Sequence, residues 1–228
     1  MRYTPLSAAT YREHRARFRK AMEKGGLATF QSNDIMPTSA DGSMPFKQAT
    51  DIMYLTGIDQ EESILLLFPN AQDPKDREIL FVRETNDHIA IWEGAKFSKK
   101  EATDLSGVTT VLWTSAYEAT LKRLVPQCES LYQNSNEHLR QGNEVETRED
   151  RYNKQLRVQF PLHMVKRSAP IMHRIRSVKT AEEVAQMRKA VAITGKAFAR
   201  VCGYIKPGVM EYEIEAEITH EFLRNGSR

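Results

Sequence analysis

The stretch SILLLFPNAQDPKDREILFVR, residues 63–83, decides the fold class of this chain. Its first part, SILLLF (63–68), is a continuous apolar run, which is typical of a strand buried on both faces of a sheet. The segment NAQDPKD (70–76) is rich in turn-forming residues. EILFVR (78–83) has the composition of a second strand. The stretch therefore predicts two neighbouring strands of a buried sheet.

The segments on either side alternate between strand and helix patterns. The predicted strands are LATFQ (27–31), VTTVLW (108–113) and SLYQ (130–133), and the predicted helices cover 7–24 and 116–125. A further helix is predicted to start at Ser98, because Ser98 and Glu101 have the spacing of a capping box. This alternation predicts an α/β layered domain. Residues 134–157 are polar and aperiodic, so they form either a long surface connection or an irregular helix.

A different pattern begins after residue 173. Thr180 and Glu183 have capping-box spacing, and apolar side chains follow at intervals of three and four, at Val184, Met187, Val191, Thr194, Phe198, Val201 and Ile205. This pattern predicts a long helix that ends at Lys206-Pro207-Gly208. A second helix is predicted from about Met210 to Arg224, with Gly226 just past its end. Two helices cannot bury their apolar stripes alone, so we expect residues 174–228 to open a second domain whose remainder is missing from a truncated sequence.

Composition bounds the class of protein. Of 228 residues, 40% are hydrophobic and 28% are charged, and the net charge is 33 − 30 = +3, which fits a globular protein without a nucleic-acid or membrane partner. No apolar run is long enough to span a bilayer, and the N-terminus lacks a signal-peptide core. A cytoplasmic location is predicted. Cys128 and Cys202 have no C-x-x-C spacing and are predicted to be free, buried thiols.

The C-terminal phrase EIEAEITHEFLRNGSR (213–228) contains an incomplete metal motif. His220-Glu221 starts the H-E-x-x-H pattern, but Arg224 stands where the second histidine belongs, and a guanidinium cannot ligate a metal. Glu217 and His220 share a helix face, yet no second E-x-x-H helix exists to complete a di-metal bundle. No P-loop, G-x-G-x-x-G or G-x-S-x-G motif occurs either. These residues predict no catalytic or metal-ligating group in this chain.

Four segments in collinear order resemble one family. They are SADGSMPFKQATDIMYLTGIDQEESILLLF (39–68), LFVRETNDHIAIWEGAKFS (80–98), IMHRIRSVKTAEEVAQMRKAVAITGKAF (171–198) and KPGVMEYEIEAEITHEFLRNGSR (206–228). Together they resemble aminopeptidase P, the Xaa-Pro aminopeptidases of the creatinase/prolidase metallopeptidases. Departures occur at Thr38 and Lys47, where relatives often carry Arg, and at Ala95-Lys96, where relatives carry an Arg pair.

The resemblance implies a fold and a metal centre. Residues 1–173 would form the family's mixed-sheet α/β N-terminal domain, and residues 174–228 would be the first helices of an incomplete pita-bread α+β catalytic domain. The family's dinuclear site, usually manganese, is held by two Asp, one His and two Glu that follow the phrase matching NGSR. We therefore expect no metal ligand and no catalytic residue in this chain.

The resemblance also points to two residues at the rim of the substrate site. Trp92 matches a tryptophan that reaches from one subunit to the active-site rim of another, and Asp41 matches an aspartate near the amino end of the substrate. A carboxylate suits that position, because an aminopeptidase must recognise an α-ammonium group. The structural alternatives are equally open: Trp92 as a core or domain-edge anchor before Gly94, and Asp41 as an Asx turn beside Gly42.

The predicted function is that of the N-terminal part of a manganese-dependent Xaa-Pro aminopeptidase, which releases the first residue of peptides with proline in second place. We expect the chain to be inactive alone, to contribute rim residues, and to form homo-oligomers, either dimers or tetramers. Two alternatives stay open: a prolidase acting on Xaa-Pro dipeptides, and a non-catalytic pseudo-peptidase or binding module.

Overall fold

The computed structural model describes residues 4–138 and 144–227, and these divide into two compact units. The larger unit is Ser7–Val178. The smaller one comprises the described residues after Val178 together with residues 4–6. In the described part of the chain, no helix is both long and apolar enough to cross a membrane.

The larger unit is built on one six-stranded sheet. Its strands are β1 (Gly26–Gln31), β2 (Ile64–Leu67), β3 (Glu78–Val82), β4 (Thr110–Trp113), β5 (Ser130–Gln133) and β6 (Met164–Arg167), in the order β4-β3-β2-β1-β5-β6. Strand β2 runs antiparallel to both β1 and β3, while β1–β5, β3–β4 and β5–β6 are parallel pairs. The sheet is therefore mixed, which confirms the predicted α/β mixed-sheet fold class.

Helices cover both faces of this sheet. They are α1 (Ala8–Ala21), α2 (Thr50–Thr56), α3 (Asp87–Glu93), α4 (Lys99–Ser106), α5 (Tyr117–Leu124), α6 (Arg148–Gln159) and α7 (Ala169–Ser177). On one face, Phe18 of α1 packs edge-on against Phe30 of β1, with ring centroids 5.1 Å apart. On the other, Phe81 of β3 packs edge-on against Tyr117 of α5 at the same distance.

The burial of β2 explains the continuous apolar run SILLLF (63–68), which predicted this strand. All four residues of β2 are buried, and its two faces belong to different layers, because successive side chains of a strand point to opposite sides. Leu66 lies in the cluster that contains Leu121 and Leu124 of α5. Leu65 and Leu67 are also fully buried and point to the other face. The predictions for the central strands, for α1 and α5 and for the Ser98–Glu101 capping box are confirmed.

Sequence patterns do not predict four of the elements: α2, α3, β6 and α7. Three of them are helices of nine residues or fewer, too short to show a clear apolar period. Strand β6 lies at the sheet edge and is largely exposed, so its sequence MVKR carries no apolar run. Where an irregular connection or helix is expected over 134–157, the structure has the regular helix α6, capped by Thr147 and Asp150. Residues 139–143 of that segment lie outside the described residues.

The smaller unit contains two helices, α8 (Ala181–Tyr204) and α9 (Glu211–Arg224), and its Thr180–Glu183 capping box confirms the predicted start of α8. The predicted apolar stripe is exposed in this chain: Val191 and Phe198 are 71% and 69% exposed. The buried residues of α8 are Ile193 and Ala197 instead. The predicted boundary between residues 173 and 174 falls inside α7, which belongs wholly to the larger unit.

Ion pairs between α8 and α9 explain how three like charges share one helix face. Glu213, Glu217 and Glu221 follow one another at intervals of four. Arg200 of α8 donates its Nε to the Glu217 carboxylate, and its Nη1 lies 3.8 Å from Oε2 of Glu221. This arginine offsets the mutual repulsion of the carboxylates.

Both cysteines are free, as predicted. Cys128 is buried, and burial raises the pKa of its thiol to about 11, so the reactive thiolate is scarce at neutral pH. Cys202 is exposed in this chain, which corrects the prediction that both thiols are buried. The apolar pattern around Cys202 belongs to the exposed side of α8, so apolar neighbours in sequence do not imply burial here.

Candidate functional site

The chain segments that carry the candidate residues lie at one end of the sheet. Strands β1, β3, β4, β5 and β6 all have their carboxyl ends there, and β2 begins there, as the partners Gln31–Ile64 and Val82–Trp113 show. In open α/β sheets, ligands bind outside the carboxyl ends of the strands. The segment after β1 carries Asp41, and the segment after β3 carries Trp92.

Asp41 lies at the exposed tip of the loop that follows β1. An isolated bridge between Pro37 and Ser43 narrows the loop, and Gly42 donates its backbone N–H to the Ser39 carbonyl at 2.9 Å. Gly42 also fits closely against Thr38, since an added Cβ would lie 2.8 Å from the Thr38 Oγ1. Backbone groups therefore close the turn, and the Asp41 carboxylate is left exposed towards solvent.

Trp92 lies in the last turn of α3. The side chain of Asn86 caps this helix by accepting a hydrogen bond from Ile89 N at 2.9 Å, and the helix ends at Gly94, whose φ is +80°. The Trp92 side chain is 78% exposed, and its neighbour Ile91 is 76% exposed. Trp92 is therefore no part of the core of this chain. An exposed pair of large apolar side chains is instead typical of a binding surface.

A single turn of the chain anchors both candidate segments. Gln48, at the end of the Asp41 loop, donates its side-chain amide to the carbonyls of Ile58 and Gln60, at 2.9 and 2.8 Å. The side chain of Gln60 in turn accepts a hydrogen bond from the backbone N–H of Phe97, five residues after Trp92, at 2.7 Å. We call residues 58–63 the anchor turn. Its polar contacts fix the base of the Asp41 loop and of the segment that carries Trp92, while Asp41 and Trp92 themselves stay exposed.

An ion-pair cluster holds α3 to the anchor turn. Arg83, directly after β3, donates a hydrogen bond to Glu93, the residue after Trp92, at 3.0 Å, and its Nη1 lies 2.5 Å from the other oxygen of that carboxylate. Arg83 also contacts Glu61 at 3.2 Å, and the Lys96 ammonium lies 2.5 Å from the same Glu61 oxygen. Burial favours a higher pKa for Glu61, but hydrogen bonds from Lys96, the backbone and Arg83 outweigh it, so the pKa lies below its ordinary value. Glu61 is therefore ionised at neutral pH and links two cations.

Sequence reasoning did not find these anchoring residues. Gln48, Gln60, Glu61 and Arg83 are separated by 10 to 37 residues from their partners, and isolated polar residues carry no periodic signal. Only a motif or a resemblance that covers the whole segment, such as the one at 80–98, could have drawn attention to them.

A second polar cluster lies at the same end of the sheet, beside β5 and α6. The side-chain amide of Asn134 donates to Asp51 and to Glu149, at 3.0 Å each, and Asp51 pairs with Arg176 at 2.5 Å. We call these four residues the Asn134 cluster. Burial raises the pKa of the Glu149 carboxyl to about 7, and hydrogen bonds from Asn134 and the Gln31 backbone only partly counter it. Its Oε1 is buried without a hydrogen-bond partner, consistent with a protonated carboxyl.

The incomplete metal motif does not form a metal site. Over residues 4–138 and 144–227, no group of three or more His, Cys, Asp or Glu side chains is arranged to hold a metal ion. Glu221 is buried and accepts a hydrogen bond from the side-chain amide of Asn225 at 2.7 Å. Glu217 is paired with Arg200. These carboxylates therefore have structural partners, and a dinuclear centre does not fit the residues present.

Comparison with known proteins agrees with this architecture. Residues 11–132, more than half of the chain, match the family described as "Aminopeptidase P, N-terminal domain", and residues 185–228 match "Metallopeptidase family M24". Among curated proteins, the chain is 28% identical over 225 residues to the Xaa-Pro aminopeptidase of Escherichia coli (strain K12), covering 98% of this chain and 51% of that protein. It is 25% identical over 223 residues to the Xaa-Pro aminopeptidase of Haemophilus influenzae, with 98% and 49% covered.

A solved structure extends the comparison to three dimensions. Aminopeptidase P from E. coli in its low-pH form superposes with a TM-score of 0.82 at 27% identity, over 98% of this chain and 51% of that one. The chain thus spans about half the length of the relatives that it matches. Both the sequence matches and the mixed sheet agree with the resemblance read from the four collinear segments. This chain therefore belongs to the aminopeptidase P family, and residues 11–132 match the family's N-terminal domain.

Proposed function

We propose that this chain is the N-terminal part of a manganese-dependent Xaa-Pro aminopeptidase, which releases the first residue of peptides that have proline in second place. The observation that supports this proposal is the collinear match to the Xaa-Pro aminopeptidase of E. coli, which covers 98% of the chain. The match of residues 185–228 to a metallopeptidase family supports the use of a divalent metal. We further propose a cytoplasmic location and a homo-oligomeric state, dimeric or tetrameric.

In this proposal the chain contributes to substrate binding and not to the chemical step. Because a dinuclear centre does not fit the described residues, we assign no catalytic step to them. The exposed Asp41 carboxylate would bind the peptide's α-ammonium group by a charge-assisted hydrogen bond. The exposed indole of Trp92 would pack against apolar parts of the peptide and exclude water. The chain by itself is therefore expected to be inactive.

The test compares this chain with the protein extended to its natural stop codon. Release of the N-terminal residue from an Xaa-Pro-Xaa tripeptide is measured with and without added manganese. We expect activity only in the extended, manganese-loaded protein. Turnover by the 228-residue chain alone would contradict its assigned role. Cleavage of Xaa-Pro dipeptides only would identify a prolidase, and inactivity of the extended protein on both substrates would identify a binding module.

The rim residues are tested in the extended protein. Trp92→Ala and Asp41→Asn are each expected to lower kcat/KM for the tripeptide by roughly tenfold, mainly through a higher KM, because each removes an interaction with bound substrate. Steady-state kinetics measure this change. The controls are Val158→Ala, an exposed apolar side chain on α6, and Asp104→Asn, an exposed carboxylate on α4. Unchanged kcat/KM in both rim variants, with activity otherwise intact, would remove Asp41 and Trp92 from the rim.

A further inference from the structure

A cationic cleft lies on the larger unit, on the side opposite to the rim segments along the strands. Helix α1, the turn before β3 and the end of α4 line an open cleft of about 500 Å³. Three arginines line it: Arg12 and Arg19 from α1 and Arg77 from the turn. Arg12, Ala16 and Arg19 are spaced by four and three residues, so they share one face of α1. The small Ala16 side chain leaves the space between the two guanidinium groups open.

The carboxylates in this cleft pair with only one of its three arginines. Of the two acidic residues that line the cleft, Glu13 pairs with Arg17, outside the cleft, and Glu78 pairs with the buried Arg15 and with Arg19. Arg15 is fully buried behind the cleft. Within the part of the chain that the structure describes, neither Arg12 nor Arg77 contacts a carboxylate. The Nε of Arg77 donates only to the carbonyl of Ala71, at 3.4 Å.

Packing places the side chain of Arg12 against the end of α4 at this cleft. Gly107 ends α4 with a φ of +71°, and a Cβ at that position would lie 3.0 Å from Cγ and 3.1 Å from Nη1 of Arg12. Glycine therefore lets Arg12 lie against the end of α4. Burial lowers the pKa of Arg15, Glu78 counters this effect, and the charges of Arg19 and Arg12 lower the pKa further. The charges of Arg12 and Arg19 therefore act on Arg15, which lies behind the cleft.

The position of Arg12 has one structural explanation, since its charge is favourable beside the carbonyl-rich end of α4. That explanation does not extend to Arg77, which lies on the turn, nor to the open space between the side chains. An anion in the cleft would give both Arg12 and Arg77 a charged partner. The planar guanidinium group donates paired hydrogen bonds to multivalent oxyanions, and phosphate-type groups accept such pairs well.

We propose that the cleft formed by Arg12, Arg19 and Arg77 binds a multivalent oxyanion of the phosphate class. The phosphoryl group can come from a free inorganic ion or from the phosphate chain of a nucleotide. The cleft is formed by the larger unit alone. Its occupancy is therefore independent of the peptidase activity proposed above.

The test titrates this chain with pyrophosphate at low salt and follows the ³¹P line width and the midpoint of thermal unfolding, Tm. We expect ligand binding to broaden the line and to raise Tm. Arg12→Gln and Arg77→Gln are each expected to weaken binding roughly tenfold, because each removes a charge-assisted contact. The matched control is Lys122→Gln, which removes the same charge from an exposed position on α5, on the other face of the sheet.

A further variant, Ala16→Glu, separates a loss of ligand binding from a loss of folding stability. Ala16→Glu places a carboxylate between Arg12 and Arg19, where ion pairs at helical spacing favour the folded state and compete with the ligand. It is expected to abolish the pyrophosphate effect without lowering Tm in the absence of ligand. The proposal is overturned if pyrophosphate has no effect on the unaltered chain, if Lys122→Gln weakens binding as much as Arg12→Gln, or if acetate binds as tightly as pyrophosphate. Parallel titrations with phosphate and ADP distinguish the two sources of the group.

Discussion

Replacing Arg15 with methionine is expected to lower the free energy of unfolding by about 3–5 kcal/mol. Arg15 is fully buried, and its guanidinium joins three elements of the larger unit. Nη1 donates to the Leu55 carbonyl at 2.8 Å and to the Ser106 carbonyl at 2.9 Å, and Nε donates to Glu78 at 3.0 Å. Leu55 and Ser106 lie in the last turns of α2 and α4, where carbonyls lack partners within the helix.

The loss is large because the partners remain buried after the substitution. Methionine replaces only the part of the side chain up to Nε and donates no hydrogen bond, so two carbonyls lose a partner and Glu78 keeps only Arg19. Urea unfolding of the chain at neutral pH measures the change. Lys20→Met, at an exposed position of the same helix, is the control and should change stability by less than about 0.5 kcal/mol. A loss below about 1 kcal/mol in Arg15→Met would show that Arg15 does not hold these elements together.

Replacing Glu149 with glutamine is expected to stabilise the larger unit at alkaline pH by about 3 kcal/mol. The carboxyl has an ordinary pKa of 4.5 and a raised pKa of about 7 in the folded chain, because burial and the Asp51 and Asp150 carboxylates disfavour its charge. A raised pKa means that the folded state holds the proton more tightly than the unfolded state. The contribution of Glu149 to stability is therefore complete below its ordinary pKa and is lost as pH rises through about 7.

Glutamine keeps the neutral form at every pH, so the variant should lose this dependence. Urea unfolding in a pH series is the measurement: the two proteins should be similar below about pH 4.5, should diverge as the pH rises to about 7, and should keep a constant difference above that. Glu118→Gln, an exposed carboxylate on α5, should leave the pH dependence unchanged. If Glu149→Gln and the parent chain have the same stability at alkaline pH, then Glu149 is solvated or ionised without cost in the folded state.

The parts of the fold that could be predicted from the sequence are those whose signal is local. The run SILLLF contains its own evidence of burial, and the Ser98–Glu101 and Thr180–Glu183 pairs contain both halves of a capping box within four residues. Strand β6 could not be predicted this way, because an exposed edge strand is held by backbone hydrogen bonds to β5 that its side chains do not reveal.

Arg15 shows a different limit. It lies on the buried face of α1 with Tyr11, His14 and Phe18, so periodicity places it in the core while its charge argues for the surface. The conflict is resolved only by Leu55, Ser106 and Glu78, which lie 40 to 91 residues away in the chain. No local pattern contains that information.

The candidate site was reached mainly through resemblance. Asp41 and Trp92 were selected because whole segments match a family, and the structure adds that both are exposed and that one anchor turn fixes their segments. Their contact with substrate stays a prediction. The charged residues that hold α3, Arg83 and Glu61, could not be assigned because their partners are brought together only by the sheet.

The closed base of the Asp41 loop has a consequence for how such proteins diversify. The side-chain amide of Asn33 donates to the Lys47 carbonyl at 2.9 Å, so the loop leaves and rejoins the domain at neighbouring points. Gln48 then fixes the exit to the anchor turn. A compact surface loop whose two ends lie this close together has the form of an Ω-loop. Its length and composition can therefore change during evolution without shifting the register of β1 against β2.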